Sequence, residues 1–362
     1  MKRQISIFHG CYLPLSETFI YRQLLGLEKH FSLKVFAQYS MNREAFPDFK
    51  PLLLPKPKQL FRLLGVHDRI IRSQLRGSSL LHVNFGYSAL EMLPHAMRCS
   101  IPITAFFLGE DASAYLRIPS YVTRLRQAEF DAVFVNSEDM KRRLLPYLHP
   151  GTVCHVAYCG IPIEQFRYRQ RHEVPVGAIF LQVSRLDPKK GVDVTIRAFH
   201  RYQRECDPSA RLIVAGDGPL RATLLKLTES LDLGKKVTFT GAVGFERYLE
   251  LLQQADLFIH PSNTSESGDM EGLPTAICEA MACGIPVLST RHSGIPEIIN
   301  DGVDGFLVEE RDVDGLYEKI VSLQQVAISL ISKSARMKIE EKFDHDKTIP
   351  ILADYMHEII TG

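Results

Sequence analysis

Short runs rich in Val, Ile and Phe alternate with helix-length amphipathic segments along the whole chain, a pattern that fits parallel sheets with helical crossovers and few other folds. Strand-like runs cover residues 5–8, 33–37, 80–83, 103–107, 132–135 and 153–157 in the first half. In the second half they cover 178–183, 211–215, 237–240, 257–260, 286–289 and 306–308. Ser16 and Ser137 stand where N-caps belong, ahead of helices over 17–29 and 138–148. Two such series, in 362 residues, exceed what one core usually holds. The expectation is an α/β protein of two Rossmann-like doubly wound units, residues 1–165 and 166–342, with ligands bound outside the carboxyl ends of the strands in a facing cleft. Residues 159–177, rich in Arg, Glu and Pro, read as the linker.

Charge narrows the partners. The formal net charge of +1 gives no sign of a nucleic-acid binder. It is unevenly spread: residues 1–165 hold 20 Lys+Arg against 13 Asp+Glu, while the remainder holds 23 against 29. The first half therefore suits an anionic neighbour, either a membrane leaflet or an anionic acceptor. Seven scattered cysteines without a C-x2-C pair indicate neither a disulfide framework nor a zinc site, so a reducing, cytoplasmic location fits. The apolar run after Met1-Lys-Arg breaks at His9, too short for a signal peptide, and reads as a first strand. No run is long enough to span a bilayer, so any membrane contact would be peripheral. Over 60–76, Arg62, Arg69, Arg72 and Arg76 share one helical side opposite Leu63, Leu64, Ile70, Ile71 and Leu75. Such a helix either packs on the core with a solvated basic face or docks on an anionic inner leaflet.

The stretch from Glu271 to Gly284 joins a carboxylate, a helix start and a second carboxylate. Pro274 suits the first helical turn and Gly284 the position past the end, so a helix over 273–283 is marked. Its free N–H groups and positive dipole end suit a phosphate. Thr275 and Glu279, four apart, share one face, and a carboxylate there can accept two hydrogen bonds from a vicinal diol. Glu271 precedes the helix, free to reach a sugar. Arg185 and Lys190 bracket another strand-to-helix turn, where Arg can fork two phosphate oxygens and Lys adds a compact charge; the alternative is a solvated basic loop.

The E-x7-E pattern enclosing Gly272-Leu273-Pro274 resembles the signature of family 4 retaining glycosyltransferases, which have the GT-B fold. Further matches, in order, are Ser184-Arg-Leu-Asp-Pro-Lys-Lys-Gly191, Val214-Ala-Gly-Asp-Gly-Pro219, Phe239-Thr-Gly-Ala-Val243, the run ending His260-Pro-Ser262, and Ser293-Gly-Ile-Pro. Leu15-Ser-Glu-Thr-Phe19 and His82-Val-Asn-Phe-Gly86 are similar to the branch that builds bacterial exopolysaccharide and capsule, colanic acid included.

The resemblance implies a cytoplasmic, retaining, metal-independent hexosyltransferase that uses a UDP-, GDP- or ADP-sugar and a glycan acceptor, lipid-linked in this branch. It assigns Arg185 and Lys190 to the leaving diphosphate, Glu279 to the ribose, and Glu271 to the donor sugar and the charge near its anomeric carbon. The amides of Gly272, Leu273 and Thr275, beside Pro274, complete the cradle, and Ala242 and Val243 meet the nucleobase through main-chain atoms. Gly216 and Gly218 form either a structural turn or a ligand-lining one. On the acceptor and sugar side stand Gly10, Ser16 and Glu17, in a loop after the first strand, with Gly109, Glu110 and Asp111. Many relatives have a histidine where this chain has Leu108, so either the sugar is held differently or Glu110 and Asp111 share that role. By the same resemblance the segment from Phe343, with Leu352, Tyr355, Met356 and Ile359 at helical spacing, crosses back to the first unit. Asp312-Val-Asp314 and Asp344-His-Asp346 fit a D-x-D metal pattern but stand near helix starts, where acids suit the dipole. Two other readings stay open: an epimerase or hydrolase acting on nucleotide sugars, and a non-catalytic sugar-binding subunit derived from a transferase.

Overall fold

The computed structural model describes residues 2–14, 17–54 and 66–362. The chain divides into two compact units, Met1–Gly160 with His345–Gly362, and Ile161–Asp344.

The first unit is a seven-stranded parallel sheet in the order β3-β2-β1-β4-β5-β6-β7. Its strands are β1 (Gln4–Tyr12), β2 (Ser32–Ser40), β3 (Leu52–Leu53), β4 (Leu81–Asn84), β5 (Ile103–Phe107), β6 (Ala132–Val135) and β7 (Cys154–Val156). Between them run α1 (Thr18–Glu28), α2 (Val66–Leu75), α3 (Gly86–Cys99), α4 (Pro119–Arg126) and α5 (Glu138–Leu144). β4 to β6 are buried throughout, as continuous apolar runs covered on both faces should be. β1 runs past Phe8 to Tyr12, because β2 stays paired with it as far as Tyr12 opposite Ser40. Ladder pairing, not apolar side chains, carries the strand over His9 and Gly10, so Gly10 lies in β1 and not in the loop after it. Ser137 caps α5 by accepting the Met140 N–H at 3.1 Å. Ser16, the other expected cap, lies outside the described residues, and α1 begins at Thr18.

The second unit is a six-stranded parallel sheet in the order β10-β9-β8-β11-β12-β13. The strands are β8 (Ile179–Val183), β9 (Arg211–Ala215), β10 (Val237–Gly241), β11 (Leu257–His260), β12 (Val287–Thr290) and β13 (Phe306–Val308). Its helices are α6 (Val192–Glu205), α7 (Arg221–Ser230), α8 (Phe245–Gln254), α9 (Thr275–Ala282), α10 (Ile295–Ile298), α11 (Val313–Ser322) and α12 (Ile328–Lys342). α6 is strongly amphipathic and buries Val194, Ile196, Phe199 and Tyr202 on the sheet. Asp312 caps α11, accepting the Gly315 N–H at 2.8 Å.

The first division, at Gly160/Ile161, falls within the stretch read as a linker, and from Ile161 onward that stretch is part of the second unit. Arg171 is buried and donates to the carbonyls of Cys283 at 2.5 Å, Leu252 at 3.0 Å and Ala255 at 3.1 Å. The Arg171 charge points inward, onto the carbonyls at the ends of α8 and α9. The division therefore falls at Gly160/Ile161 and Asp344/His345 instead of 165/166 and 342/343.

A last helix, α13 (His345–Thr361), is part of the first unit. Ile349, Leu352, Ala353 and Met356 join Ile20, Leu24, Leu27 and Phe31 in one apolar cluster. His345 Nε2 bonds the Arg22 carbonyl at 2.8 Å, and a Cβ on Gly26 would meet Ile349 and His345 at 2.7–2.8 Å. Close helix packing at α1 and α13 thus requires that glycine.

Candidate functional site

In the second unit, β8, β11 and β12 are neighbours, so the loops leaving their carboxyl ends converge. The β8 loop turns through Pro188–Lys190 and passes Gly191 at φ 59, where a Cβ would lie 2.0 Å from the Pro261 carbonyl oxygen. Only glycine lets this backbone lie on the β11 loop. That contact places Lys190 Nζ 2.5 Å from Glu271 Oε1. Ser262 donates its hydroxyl to the same oxygen at 3.0 Å, and His260 Nε2 stands 3.6 Å away. Lys189 pairs with Asp269 at 3.0 Å, steadying the approach to Glu271.

Glu271 is 6 % exposed. Burial works against its charge, but the Lys190 ammonium, His260 and Lys189 hold its carboxyl well below the usual carboxylate range. The same burial pushes His260 down, so its ring is neutral near pH 7. The Glu271 main chain is also tied: its N–H donates to His292 Nε2 at 3.0 Å, and its carbonyl accepts from Ser293 Oγ at 2.7 Å. His292 Nδ1 lies 2.7 Å from Glu310 Oε1. The result is a fixed, ionised carboxylate beside a lysine, an arrangement able to answer positive charge at a bound carbon while the cation answers a phosphate.

α9 begins at Thr275, with Pro274 as its N-cap at ψ 101 and not in its first turn. Gly272, Leu273 and Pro274 are buried in the loop before it. Glu279, one turn after Thr275, is buried and accepts the Tyr248 hydroxyl of α8 at 2.5 Å. Arg185 is not brought to Glu271: its guanidinium pairs with Asp187 at 3.0 Å and its side chain is 60 % exposed. Gly216 and Gly218 answer to protein backbone. A Cβ at Gly216 would lie 1.9 Å from the Ser184 carbonyl oxygen, and one at Gly218 2.7 Å from Leu186 N. Their turn therefore supports the loop that carries Arg185. Ala242 is exposed and Val243 partly so, in the loop between β10 and α8.

In the first unit, Glu17 Oε2 lies 2.8 Å from His9 Nε2. Glu110 is exposed in the loop after β5. Asp111 is fully enclosed: it accepts the N–H of Gly86 at 2.8 Å, of Gly109 at 2.9 Å and of Leu108 at 3.1 Å. Burial raises its pKa against those three bonds. This corrects the reading of Asp111 as a sugar ligand; it closes the β5 loop onto the start of α3. Leu108 is buried in the apolar cluster with Phe106 and Phe134. Ser16 is outside the described residues.

His260, Ser262, His292, Glu310 and Tyr248 were not singled out from sequence as site residues. The first three lie in or beside matched strand-end runs, but only the strand order shows that these runs meet. Among the described residues, no three His, Cys, Asp or Glu side chains gather as metal ligands. On α2, Asp68 pairs with Arg72 at 2.7 Å, His95 at 2.7 Å and Arg98 at 3.1 Å, which offsets part of the basic face; Arg62 is outside the described residues.

Residues 165–338 match the glycosyl transferases group 1 family. The chain belongs to that family, as its likeness to a Mycolicibacterium smegmatis GDP-mannose-dependent alpha-(1-6)-phosphatidylinositol monomannoside mannosyltransferase also shows: 32 % identity over 289 residues, 73 % of this chain and 70 % of the relative. The putative colanic acid biosynthesis glycosyltransferase WcaL of Escherichia coli is 32 % identical over 247 residues, 67 % of this chain and 61 % of its own length. The amylovoran biosynthesis glycosyltransferase AmsK of Erwinia amylovora is 34 % identical over 212 residues, 58 % of this chain and 52 % of its own. The chain thus spans between half and two thirds of these two relatives. Anabaena HepE, solved with UDP-glucose, superposes with a TM-score of 0.82 at 18 % identity, covering 98 % of this chain and 99 % of that one. That likeness establishes the fold, which is of the GT-B class.

Proposed function

We propose that this protein is a retaining glycosyltransferase that moves a hexose from a nucleoside diphosphate sugar to a glycan acceptor, lipid-linked, in surface polysaccharide synthesis. The observation that carries the reading is the buried pair of Lys190 with an ionised Glu271. In the reaction, the bond from the anomeric carbon to the diphosphate oxygen breaks and its electron pair passes to the phosphate. Lys190, joined by Arg185, answers that charge, so no metal is needed and transfer survives EDTA. Glu271 stays ionised and faces the positive charge developing at carbon. The acceptor oxygen bonds on the face the phosphate leaves, and its proton passes to the departing phosphate. Glu279 receives the ribose hydroxyls, with Tyr248 yielding or sharing its bond.

The mannosyltransferase and polysaccharide relatives support the class of reaction. Among the described residues no helix is long and apolar enough to cross a membrane, and in this reading the lipid-linked acceptor is met through peripheral contact at Arg69 and Arg76. The test is donor turnover by mass spectrometry across UDP-, GDP- and ADP-hexoses, with and without hexosyl-lipid acceptors. Glu271→Ala is expected to lower turnover by on the order of 10²–10³. Near-wild-type transfer by that variant removes the assignment.

A further inference from the structure

His292 is fully buried between the Glu310 carboxylate and the main chain of Glu271. A backbone amide can only donate, so the Nε2 it meets at 3.0 Å carries a lone pair and the ring proton sits on Nδ1. That proton is donated to Glu310 Oε1 at 2.7 Å. The other oxygen of Glu310 accepts the Thr264 N–H, also at 2.7 Å. One carboxylate therefore sets the tautomer of the ring and anchors the start of the loop that ends at Glu271. The next residue, Ser293, takes the Glu271 carbonyl at 2.7 Å, so both sides of the residue's main chain are gripped from the loop after β12.

We infer that His292 and Glu310 are positioning residues: they fix the Glu271 main chain so that its carboxylate stays on Lys190 and Ser262 and faces the donor sugar. The inference rests on the reading of Glu271 given above. Neither residue touches substrate in this role. A substitution that frees the Glu271 peptide leaves the diphosphate contacts intact but lets the carboxylate drift, and a displacement of about 1 Å near reacting atoms is worth up to ~10²-fold in rate.

The experiment compares His292→Phe, His292→Gln, Glu310→Ala and the double variant His292→Phe/Glu310→Ala in the full chain. Turnover is measured at saturating donor, and binding of UDP and GDP by calorimetry. His292→Phe removes the acceptor at similar volume and is expected to lower kcat about 10- to 100-fold, with the dissociation constant of the bound nucleotide within about threefold of wild type. His292→Gln, whose side-chain oxygen can take the Glu271 N–H, is expected to recover about tenfold of that loss. Glu310 acts in part through the ring and in part through the Thr264 amide, so the loss in the double variant is expected to be clearly smaller than the product of the two single losses. Wild-type kcat in His292→Phe overturns the inference, as does a loss confined to KM or a multiplicative double variant. If His292→Phe does not fold, His292→Gln and Glu310→Ala report on the same relay through kcat, and wild-type kcat in Glu310→Ala then overturns it. Near-wild-type turnover by Glu271→Ala would instead sink the underlying reading; an inactive Glu271→Ala beside a fully active His292→Phe sinks only this one.

Discussion

Replacing Lys190 with alanine removes the cation from a carboxylate that is 6 % exposed. Breaking a buried ion pair by deleting one partner costs about 3–5 kcal/mol, because the remaining charge is left in a poorly solvated site. Ser262 at 3.0 Å and His260 at 3.6 Å still face Glu271, so the lower end, about 3 kcal/mol, applies. For a unit of this size ~1 kcal/mol moves Tm by roughly 2–4 °C, so the melting of the second unit should fall by roughly 6–12 °C at pH 7. The loss also depends on pH. In the native protein the Glu271 pKa lies below its unfolded value, so its contribution is complete above about pH 4.3 and fades as pH falls through the folded pKa. In the variant the Lys190 charge no longer opposes burial, and the carboxyl takes up a proton more readily. The gap between the two proteins should therefore be widest near pH 7–8, narrow toward pH 4, and close only once pH falls below the native protein's lowered Glu271 pKa. Differential scanning calorimetry of Lys190→Ala, Glu271→Gln and the double variant across pH 4–8 measures this directly. The double variant, with no orphan charge, should melt above Lys190→Ala. An equal loss at pH 4 and pH 8, or a double variant no more stable than Lys190→Ala, would refute the account of Glu271 as a charge held by Lys190.

Three further outcomes follow from the geometry. Gly216→Ala sets a Cβ 1.9 Å from the Ser184 carbonyl at φ 136, and should destabilise by about 2 kcal/mol or more, measured by urea unfolding, while loosening the loop that bears Arg185. Tyr248→Phe removes the hydroxyl that Glu279 accepts at 2.5 Å; nucleotide affinity by calorimetry should change by about 3- to 10-fold, and no change would separate Glu279 from ribose binding. Arg171→Leu leaves several buried carbonyls without a donor and should cost about 3 kcal/mol or more, seen as a lower melting temperature with the first unit unaffected.

The parallel sheets were legible because periodicity is local: each apolar run announces its own strand. Strand ends were less so, as β1 shows, since its last residues are held by pairing with β2 and not by apolar side chains. In the site, Glu271 and Lys190 could be named from residue type and motif, but their contact depends on β8 lying beside β11, a long-range fact. The same holds for His292 and Glu310, whose partners are 21 and 46 residues away in sequence. Asp111 went astray for a related reason: an acid after a strand looks available to a ligand until the Gly86 amide, 25 residues earlier, is seen to occupy it. The inward turn of Arg171 was not legible in the 159–177 stretch because composition does not tell which way a charge points.

The helix from His345 to Thr361 gives the first unit a dependence on synthesis order. Its apolar residues complete a cluster whose other members, Ile20, Leu24, Leu27 and Phe31, leave the ribosome far earlier. All of Ile161–Asp344 is made in between, on the order of 10–40 s at ordinary elongation rates. During that interval the nascent chain carries an uncovered greasy flank, and the intervening unit is free to mature before its predecessor is sealed.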